Sequence, residues 1–161
     1  MTQKEERLKE MNQALRALIK PEGDWLANMA NSSALLFDLM DDLNWAGFYI
    51  WKQDQLVLGP FQGQTACVRI EEDKGVCGKA YSQRKIMLVE DVRKFPGHIA
   101  CDPNSRSEIV LPVIVGGEVI AVLDIDSPTK ARFDQTDLKY LKEFVEILVD
   151  ETNFLPLMEK F

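Results

Sequence analysis

The sequence has few of the residues and patterns that mark several large classes of protein. It contains one histidine and three cysteines with no C-x-x-C pair, which argues against a disulfide-rich secreted scaffold. Its longest apolar runs, LPVIV and VIAVL, are far too short to cross a bilayer, and the opening MTQKEERLKE lacks the apolar segment of a secretory signal. We therefore expect a cytoplasmic protein with reduced, reactive thiols.

Positive charge is also scarce. The 26 acidic residues outnumber the 19 basic ones, giving a net charge of -7, and binding to nucleic acid or an anionic membrane depends on lysine and arginine. We expect neither as a partner. A chain of 161 residues that is 46% hydrophobic, with no repeat or low-complexity tract, is typical of one domain with a single substantial core.

The hydrophobic spacing predicts two helices in residues 1–43, a sheet with its loops in 44–130 and a terminal helix in 133–152. The stretch WAGFYIW reads as a strand, and ACVRI reads as a short strand that carries the first cysteine. Gly116 and Gly117 join two β-rich runs, which predicts a hairpin because glycine readily adopts positive φ. Hairpin connections favour an α+β fold in which helices pack on one face of an antiparallel sheet.

Cys101 lies in a polar loop three residues after His98, the only histidine. A nearby positive charge lowers the pKa of a thiol and makes it a better nucleophile, so Cys101 is a candidate catalytic residue, although it is equally consistent with an ordinary loop cysteine. Either Cys67 or Cys77 could resolve an oxidised Cys101 as a disulfide. A zinc site formed by the three cysteines and His98 is disfavoured, because the cysteine spacings lack the close pairs that structural zinc requires.

Three acidic residues form a second candidate constellation. Strand alternation places Asp124 and Asp126 on one face, with Leu123 and Ile125 on the other. A two-residue turn at the glycine pair places Glu108 within one position of facing Asp124. Clustered carboxylates raise each other's pKa and suit a cation such as an ammonium group, whereas the alternative is a solvated acidic face of the sheet.

Aromatic residues are the third element. Trp45 and Tyr49 share one face of a strand, where they either line an apolar slot or belong to the core.

These residues together resemble the free methionine-(R)-sulfoxide reductases, a group of stand-alone GAF-domain proteins. The resemblance is carried by the three cysteines and by the segments CDPNSRSEIVLPV, VLDIDSP and FDQTDLKYL. It covers the chain from about Asn44 to Leu148. The cysteine spacing combined with S-x-x-E-I-V-x-P is its most specific part.

The resemblance implies a role for each candidate. Cys101 would attack the sulfoxide sulfur and become a sulfenic acid, Cys67 would form a disulfide with it that thioredoxin reduces, and Cys77 would have a secondary role. Acidic and aromatic side chains would bind the substrate, namely Glu108, Asp124, Asp126, Trp45 and Tyr49. The family also suggests a homodimer, and we expect neither a cofactor nor a bound metal.

Two other functions use the same residues. One is a non-catalytic GAF module that senses a small molecule, which leaves the thiols without a role. The other is a thiol redox switch, which leaves the acidic cluster without a role.

Overall fold

A computed structural model describes residues 1–99 and 101–160. Its helices are α1 (Gln3–Ile19), α2 (Trp25–Leu39), α3 (Gly75–Gln83), α4 (Gln135–Glu151) and α5 (Leu155–Lys160). Its strands are β1 (Trp45–Lys52), β2 (Gln55–Gly63), β3 (Arg69–Glu71), β4 (Met87–Val89), β5 (Ser107–Val115) and β6 (Glu118–Ser127). None of the helices in these ranges is both long and apolar enough to span a membrane.

The six strands form one sheet in the order β3-β2-β1-β6-β5-β4, and every neighbouring pair is antiparallel. The α+β class and the antiparallel sheet predicted from the hairpin signals are confirmed. The short strand predicted at ACVRI begins later than expected, at Arg69, so Cys67 lies in the loop that precedes β3.

The two faces of the sheet carry different layers. One face packs against α1, α2 and α4 around a large apolar core that includes Phe48, Leu123 and Phe144. The helix α3 packs across the other face, where Val76 and Ala80 meet Tyr49 and Val110. The predicted layer of helices on one face is thus present, and α3 adds a second layer that forms one wall of the candidate site.

The terminal helix α4 begins after the N-cap Asp134. Its side chain accepts from the backbone N–H groups of Thr136 and Asp137, and the Asp137 side chain accepts in return from the N–H of Asp134. This reciprocal pair satisfies backbone donors that the first turn leaves without partners. The helix therefore starts at a fixed residue and holds Phe144 and its neighbours against the sheet.

The β5–β6 hairpin turns at Gly116 and Gly117, both of which have positive φ, as the sequence predicts. Beside the turn Val115 pairs with Glu118, but a bulge between Val113 and Ile114 shifts the register by one residue. Beyond the bulge Glu108 faces Asp126. Without the shift Glu108 would face Ile125 and point into the apolar core, so the bulge places this carboxyl on the α3 side of the sheet.

Candidate active site

One cavity lies between α3, the loop that carries Cys101 and the α3 side of the sheet. Seven of the eight residues proposed from sequence line it: Trp45, Tyr49, Cys77, Cys101, Glu108, Asp124 and Asp126. The eighth, Cys67, is bonded to a lining residue. The cavity has a volume of about 40 Å³, and roughly 10–15 Å³ on this measure is enough to hold one water molecule.

Cys101, which lines this cavity, forms a disulfide with Cys67, and their Cα atoms are 5.4 Å apart. The bond joins the loop before β3 to the loop before β5, which are 34 residues apart in the chain. Both cysteines are half-buried. The pairing implied by the family resemblance is therefore the one found in the structure, and the other predicted thiol, Cys77, is free and buried.

The aromatic side chains both line the cavity and hold the Cys67 loop in place. The Tyr49 hydroxyl donates to the Cys67 carbonyl over 2.8 Å, and the Trp45 indole N–H donates to the Gln64 carbonyl over 3.1 Å. The Trp45 ring stacks on Tyr49 and on Phe61, at centroid distances of 5.9 and 5.2 Å. The sequence left open whether Trp45 and Tyr49 line an apolar slot or belong to the core. Both side chains are buried and both line the cavity.

The Cys101 loop is held by a residue that sequence reasoning missed. Asn44, directly before β1, donates from Nδ2 to the Asp102 carboxylate over 2.9 Å and to the Ser105 hydroxyl over 3.0 Å. Asp102 also accepts from the Asn104 backbone N–H, which closes a tight turn after Cys101. The sequence predicted a polar loop here, but nothing in it indicated that Asn44, 58 residues before Asp102, would bind this loop.

Glu108, Asp124 and Asp126 are all buried, with 6%, 6% and 9% of their surfaces exposed. This rules out a solvated acidic face, the alternative left open by the sequence. One oxygen of Asp124, Oδ1, has no hydrogen-bond partner among the described residues. A buried acceptor without a donor is unfavourable, and a ligand that brings an N–H group would satisfy it.

Burial dominates the electrostatics of this acidic cluster. It raises the pKa of Glu108 well above its usual value, and the charges of Asp124 and Asp126 raise it further. Burial and the neighbouring Asp124 likewise raise the pKa of Asp126. Burial also raises the pKa of Asp124, while hydrogen bonds with Glu108 and Cys77 oppose that rise. Without a cation nearby, these groups therefore retain protons at higher pH than ordinary carboxylic acids.

The Cys77 thiol belongs to the same cluster. Burial, followed by the charge of Asp124, raises its pKa, so it stays protonated. One ligand atom from each of Cys77, Glu108 and Asp124 lies within 4.8 Å of the others. The four-residue zinc set considered from the sequence is not assembled, because the disulfide occupies two of its thiols.

His98 lies at the rim of the cavity and faces the acidic cluster. Its Nε2 is 3.9 Å from Glu108 Oε1. Burial lowers the pKa of His98, an effect that the charge of Asp124 partly offsets. The predicted influence of His98 on Cys101 stays a prediction, since Cys101 is held in the disulfide.

The beginning of α3 adds a positive end to an otherwise acidic cavity. Within the described part of the chain no side chain caps this helix, and the backbone N–H groups of Gly75, Val76 and Cys77 donate no hydrogen bond. These residues line the cavity together with Lys74. Free N–H groups at a helix N-terminus favour an anion.

Comparison with known proteins places this geometry in context. The GAF domain family matches residues 33–149. The chain is 57% identical to Protein YtsP of Bacillus subtilis over 83% of both chains. It is 50% identical to the free methionine-R-sulfoxide reductase of Escherichia coli, over 84% of this chain and 82% of that protein. The X-ray structure of the free methionine-R-sulfoxide reductase from Neisseria meningitidis in complex with its substrate has a TM-score of 0.89 and 42% identity, covering 94% of this chain and 91% of that one.

Proposed function

Because the chain belongs to the GAF-domain family of free methionine-R-sulfoxide reductases, we propose that it reduces free L-methionine-(R)-sulfoxide to L-methionine. The observation that carries this proposal is a disulfide-forming cysteine that shares one cavity with three buried carboxyl groups. Sulfoxide reduction needs a nucleophile for sulfur and a proton for the departing oxygen. Cys101 and the acidic cluster supply these two requirements.

The reaction begins when the Cys101 thiolate attacks the sulfoxide sulfur while a carboxylic acid of the cluster protonates the oxygen. The oxygen passes to Cys101, which becomes a sulfenic acid, and methionine leaves with the electron pair on its sulfur. The Cys67 thiol then attacks the sulfenic sulfur, water departs, and the disulfide forms. A dithiol such as thioredoxin returns both cysteines to the reduced state and is itself oxidised.

Glu108 is the proton donor we propose. Its pKa is raised by burial and by two acidic neighbours, so it retains a proton at higher pH than an ordinary glutamic acid does. A general acid of this kind contributes roughly 100- to 10,000-fold to a rate. Asp126, which faces Glu108 across the β5–β6 ladder, holds this carboxyl in position.

The cavity also offers complementary groups for both charged ends of a free amino acid. The unpartnered Oδ1 of Asp124 suits the substrate ammonium, and the free N–H groups at the start of α3, with Lys74 beside them, suit its carboxylate. A methionine within a polypeptide has neither charged group. This pairing therefore explains a preference for the free amino acid.

In the disulfide form the Cys101 sulfur is bonded to Cys67 and cannot act as a nucleophile. We propose that reduction releases the Cys101 loop and frees this sulfur for the next turnover.

We further propose that the protein is a cytoplasmic homodimer. The outward side of α2 supports this, because Leu26 and Phe37 are three helical turns apart and 52% and 37% exposed. Light scattering coupled to size-exclusion chromatography tests the assembly. A mass of about twice 18.4 kDa is expected, and a monomer would contradict the proposal.

The activity is tested with purified protein, dithiothreitol and the separate R and S epimers of free methionine sulfoxide. We expect turnover of the R epimer alone and no turnover in Cys101→Ser. Equal use of both epimers, or activity that survives the substitution, would contradict the proposal. If peroxide forms the disulfide but no sulfoxide is reduced, the protein is a redox switch instead.

A further inference from the structure

The buried acidic cluster contains one thiol that the proposed reaction does not use. Cys77 lies in the first turn of α3 and is buried beside Glu108 and Asp124. One ligand atom from each of these three residues lies within 4.8 Å of the other two. The reaction assigns a step to each carboxyl group but none to the thiol. A thiol and two carboxyl groups gathered in one cavity are donors of the kind that bind metal ions.

Asp124 brings an unsatisfied acceptor into this group. It is 6% exposed, and its Oδ1 has no hydrogen-bond partner among the described residues. Within the same part of the chain, His98 is the one cation-forming side chain at ion-pairing distance from the cluster, with Nε2 3.9 Å from Glu108 Oε1. A buried carboxylate without a donor or a counter-ion is unfavourable. A bound cation would satisfy Asp124 and offset the repulsion between the two carboxylates.

The donor atoms determine the class of ion. Mg²⁺ and Ca²⁺ bind oxygen ligands, and Ca²⁺ takes about six to eight of them. Zn²⁺ accepts thiolate sulfur together with carboxylate oxygen, and it commonly binds three protein ligands while water holds a fourth position. Cys77, Glu108 and Asp124 supply these ligands, and the cavity of about 40 Å³ has room for the water. The site therefore suits Zn²⁺.

The ligand atoms are close enough to meet one ion. Bond lengths of about 2.0–2.3 Å place the ligand atoms of a tetrahedral Zn²⁺ site about 3.5 Å apart, and the three atoms here are at most 4.8 Å apart. Small side-chain rotations close this difference. The carboxyl groups belong to the neighbouring strands β5 and β6, so the ion would link them to α3. An entry path exists, because exposed Lys74 and Ile99 line the same cavity.

We propose that the cavity binds Zn²⁺ through Cys77 Sγ and one carboxylate oxygen each of Glu108 and Asp124. The ligands release their protons to solvent when the ion binds, because only a thiolate and carboxylates coordinate it. The ion inhibits the enzyme, since it takes the Asp124 carboxylate from the substrate ammonium and removes the proton that Glu108 donates. This inhibition rests on the proposed function, whereas the binding of the ion does not. Zn²⁺ is thus an inhibitor here and not a cofactor of turnover.

Binding is tested on the oxidised protein, in which the disulfide leaves Cys77 as the free thiol. The protein is titrated with Co²⁺, because a thiolate bound to Co²⁺ gives a charge-transfer absorption in the near ultraviolet, and Zn²⁺ is then added as a competitor. We expect one Co²⁺ per chain, a band that is absent in Cys77→Ser, and loss of the band when Zn²⁺ is added. No band in the wild type, or a band that persists in Cys77→Ser, would overturn the site.

The carboxylate ligand is tested by Asp124→Asn, which keeps the thiol and nearly the same side-chain volume. We expect the dissociation constant for Zn²⁺, measured by competition with Co²⁺, to rise at least about 10-fold. The matched control is Asp150→Asn at an exposed position. Equal dissociation constants in Asp124→Asn and the control would overturn the ligand set. Circular dichroism checks the folding of each variant, and if one of Cys77→Ser and Asp124→Asn does not fold, the other decides.

Inhibition is measured in a single turnover, because dithiol reductants themselves bind Zn²⁺. Reduced protein is freed of reductant and mixed with free methionine-(R)-sulfoxide, with or without Zn²⁺, and the released methionine is counted. We expect Zn²⁺ to suppress this release, excess sulfoxide to restore it, and Cys77→Ser to be less sensitive. Equal inhibition of Cys77→Ser and the wild type, or none in either, would overturn the inhibitory role. No release even without Zn²⁺ would instead contradict the proposed function, and the Co²⁺ titration would still decide the metal site.

Discussion

Glu108 is a carboxylic acid with little access to water, and it lies beside two others. Ionising such a group without a nearby cation is costly, so the folded protein favours its protonated form. Ionisation of Glu108 at high pH therefore lowers the stability of the folded protein, and the same raised pKa suits Glu108 to donate a proton. This combination is common at active sites, where burial that serves catalysis opposes stability.

The first prediction concerns Glu108→Gln. Because folding raises the pKa of Glu108 above its ordinary 4.5, its favourable contribution is complete at acidic pH and is lost as pH rises through the raised value. The glutamine variant lacks this penalty. Its Tm should therefore exceed that of the wild type by an amount that grows as the pH rises above the ordinary pKa of 4.5, while kcat falls at least about 100-fold.

Thermal unfolding followed by circular dichroism, with an R-sulfoxide assay, measures both effects. The control is Glu118→Gln, at an exposed position on the same hairpin. This substitution should change neither the pH dependence of Tm nor kcat. A Tm difference that shrinks with increasing pH would contradict the assignment.

The second prediction concerns Asp124→Asn. The substrate ammonium should lose a charge-assisted partner, because the amide cannot carry a negative charge. We expect KM for the free sulfoxide to rise at least about 10-fold with a smaller change in kcat, as for a group that binds ground state and transition state alike. Steady-state kinetics test this against the exposed control Asp150→Asn, and an unchanged KM in Asp124→Asn would exclude its role in substrate binding.

At the scale of elements, the β5–β6 hairpin combines one feature readable from the sequence with one that is not. The glycine pair and the strand alternation predicted the turn and the shared face of Asp124 and Asp126. The bulge at Val113–Ile114 has no comparable local signature, yet it brings Glu108 opposite Asp126. Register depends on packing across the whole sheet, so sequence alone could only place Glu108 near its partners.

In the loops, too, the sequence predicted some features, whereas others depend on tertiary structure. The composition of the Cys101 loop indicated a polar turn with a reactive thiol, but its hydrogen bonds to Asn44 depend on tertiary structure. The position of α3 on the second face of the sheet also depends on tertiary packing. The pairing of Cys67 with Cys101 was accessible through family resemblance and not through spacing.

The third prediction concerns β1, where Gly47 faces Phe61 in the neighbouring strand. A Cβ at this position would lie 2.3 Å from the Phe61 Cβ and 2.7 Å from its Cα. Gly47→Ala must therefore displace the β2 backbone together with the ring that stacks on Trp45. We expect a loss of about 1–3 kcal/mol in the free energy of unfolding and a change in tryptophan fluorescence.

Urea unfolding measures this loss. Gly23→Ala is the control, because no atom of the described residues lies within 4 Å of its added Cβ. If Gly47→Ala were as stable as this control, the prediction would be wrong, because β1 and β2 would then accommodate the added methyl group without loss of stability.

At the scale of the whole molecule, the sheet separates stability from chemistry. One face is filled by α1, α2 and α4 around an apolar core, while the other carries α3, the aromatics and the acidic cluster. The loops that supply Cys67 and Cys101 reach this second face from different parts of the chain. Substitutions in the cavity can therefore alter activity while leaving the main core intact.

The central claim is that a cavity of buried carboxyl groups binds the ammonium group of a free amino acid and thereby presents its sulfoxide to the Cys101 thiolate. It is tested most directly by comparing kcat/KM for free methionine-(R)-sulfoxide and its N-acetyl derivative, with dithiothreitol as reductant. Acetylation removes the ammonium charge and leaves the sulfoxide intact, so we predict at least about 100-fold preference for the free amino acid. Equal values for the two substrates would contradict the account.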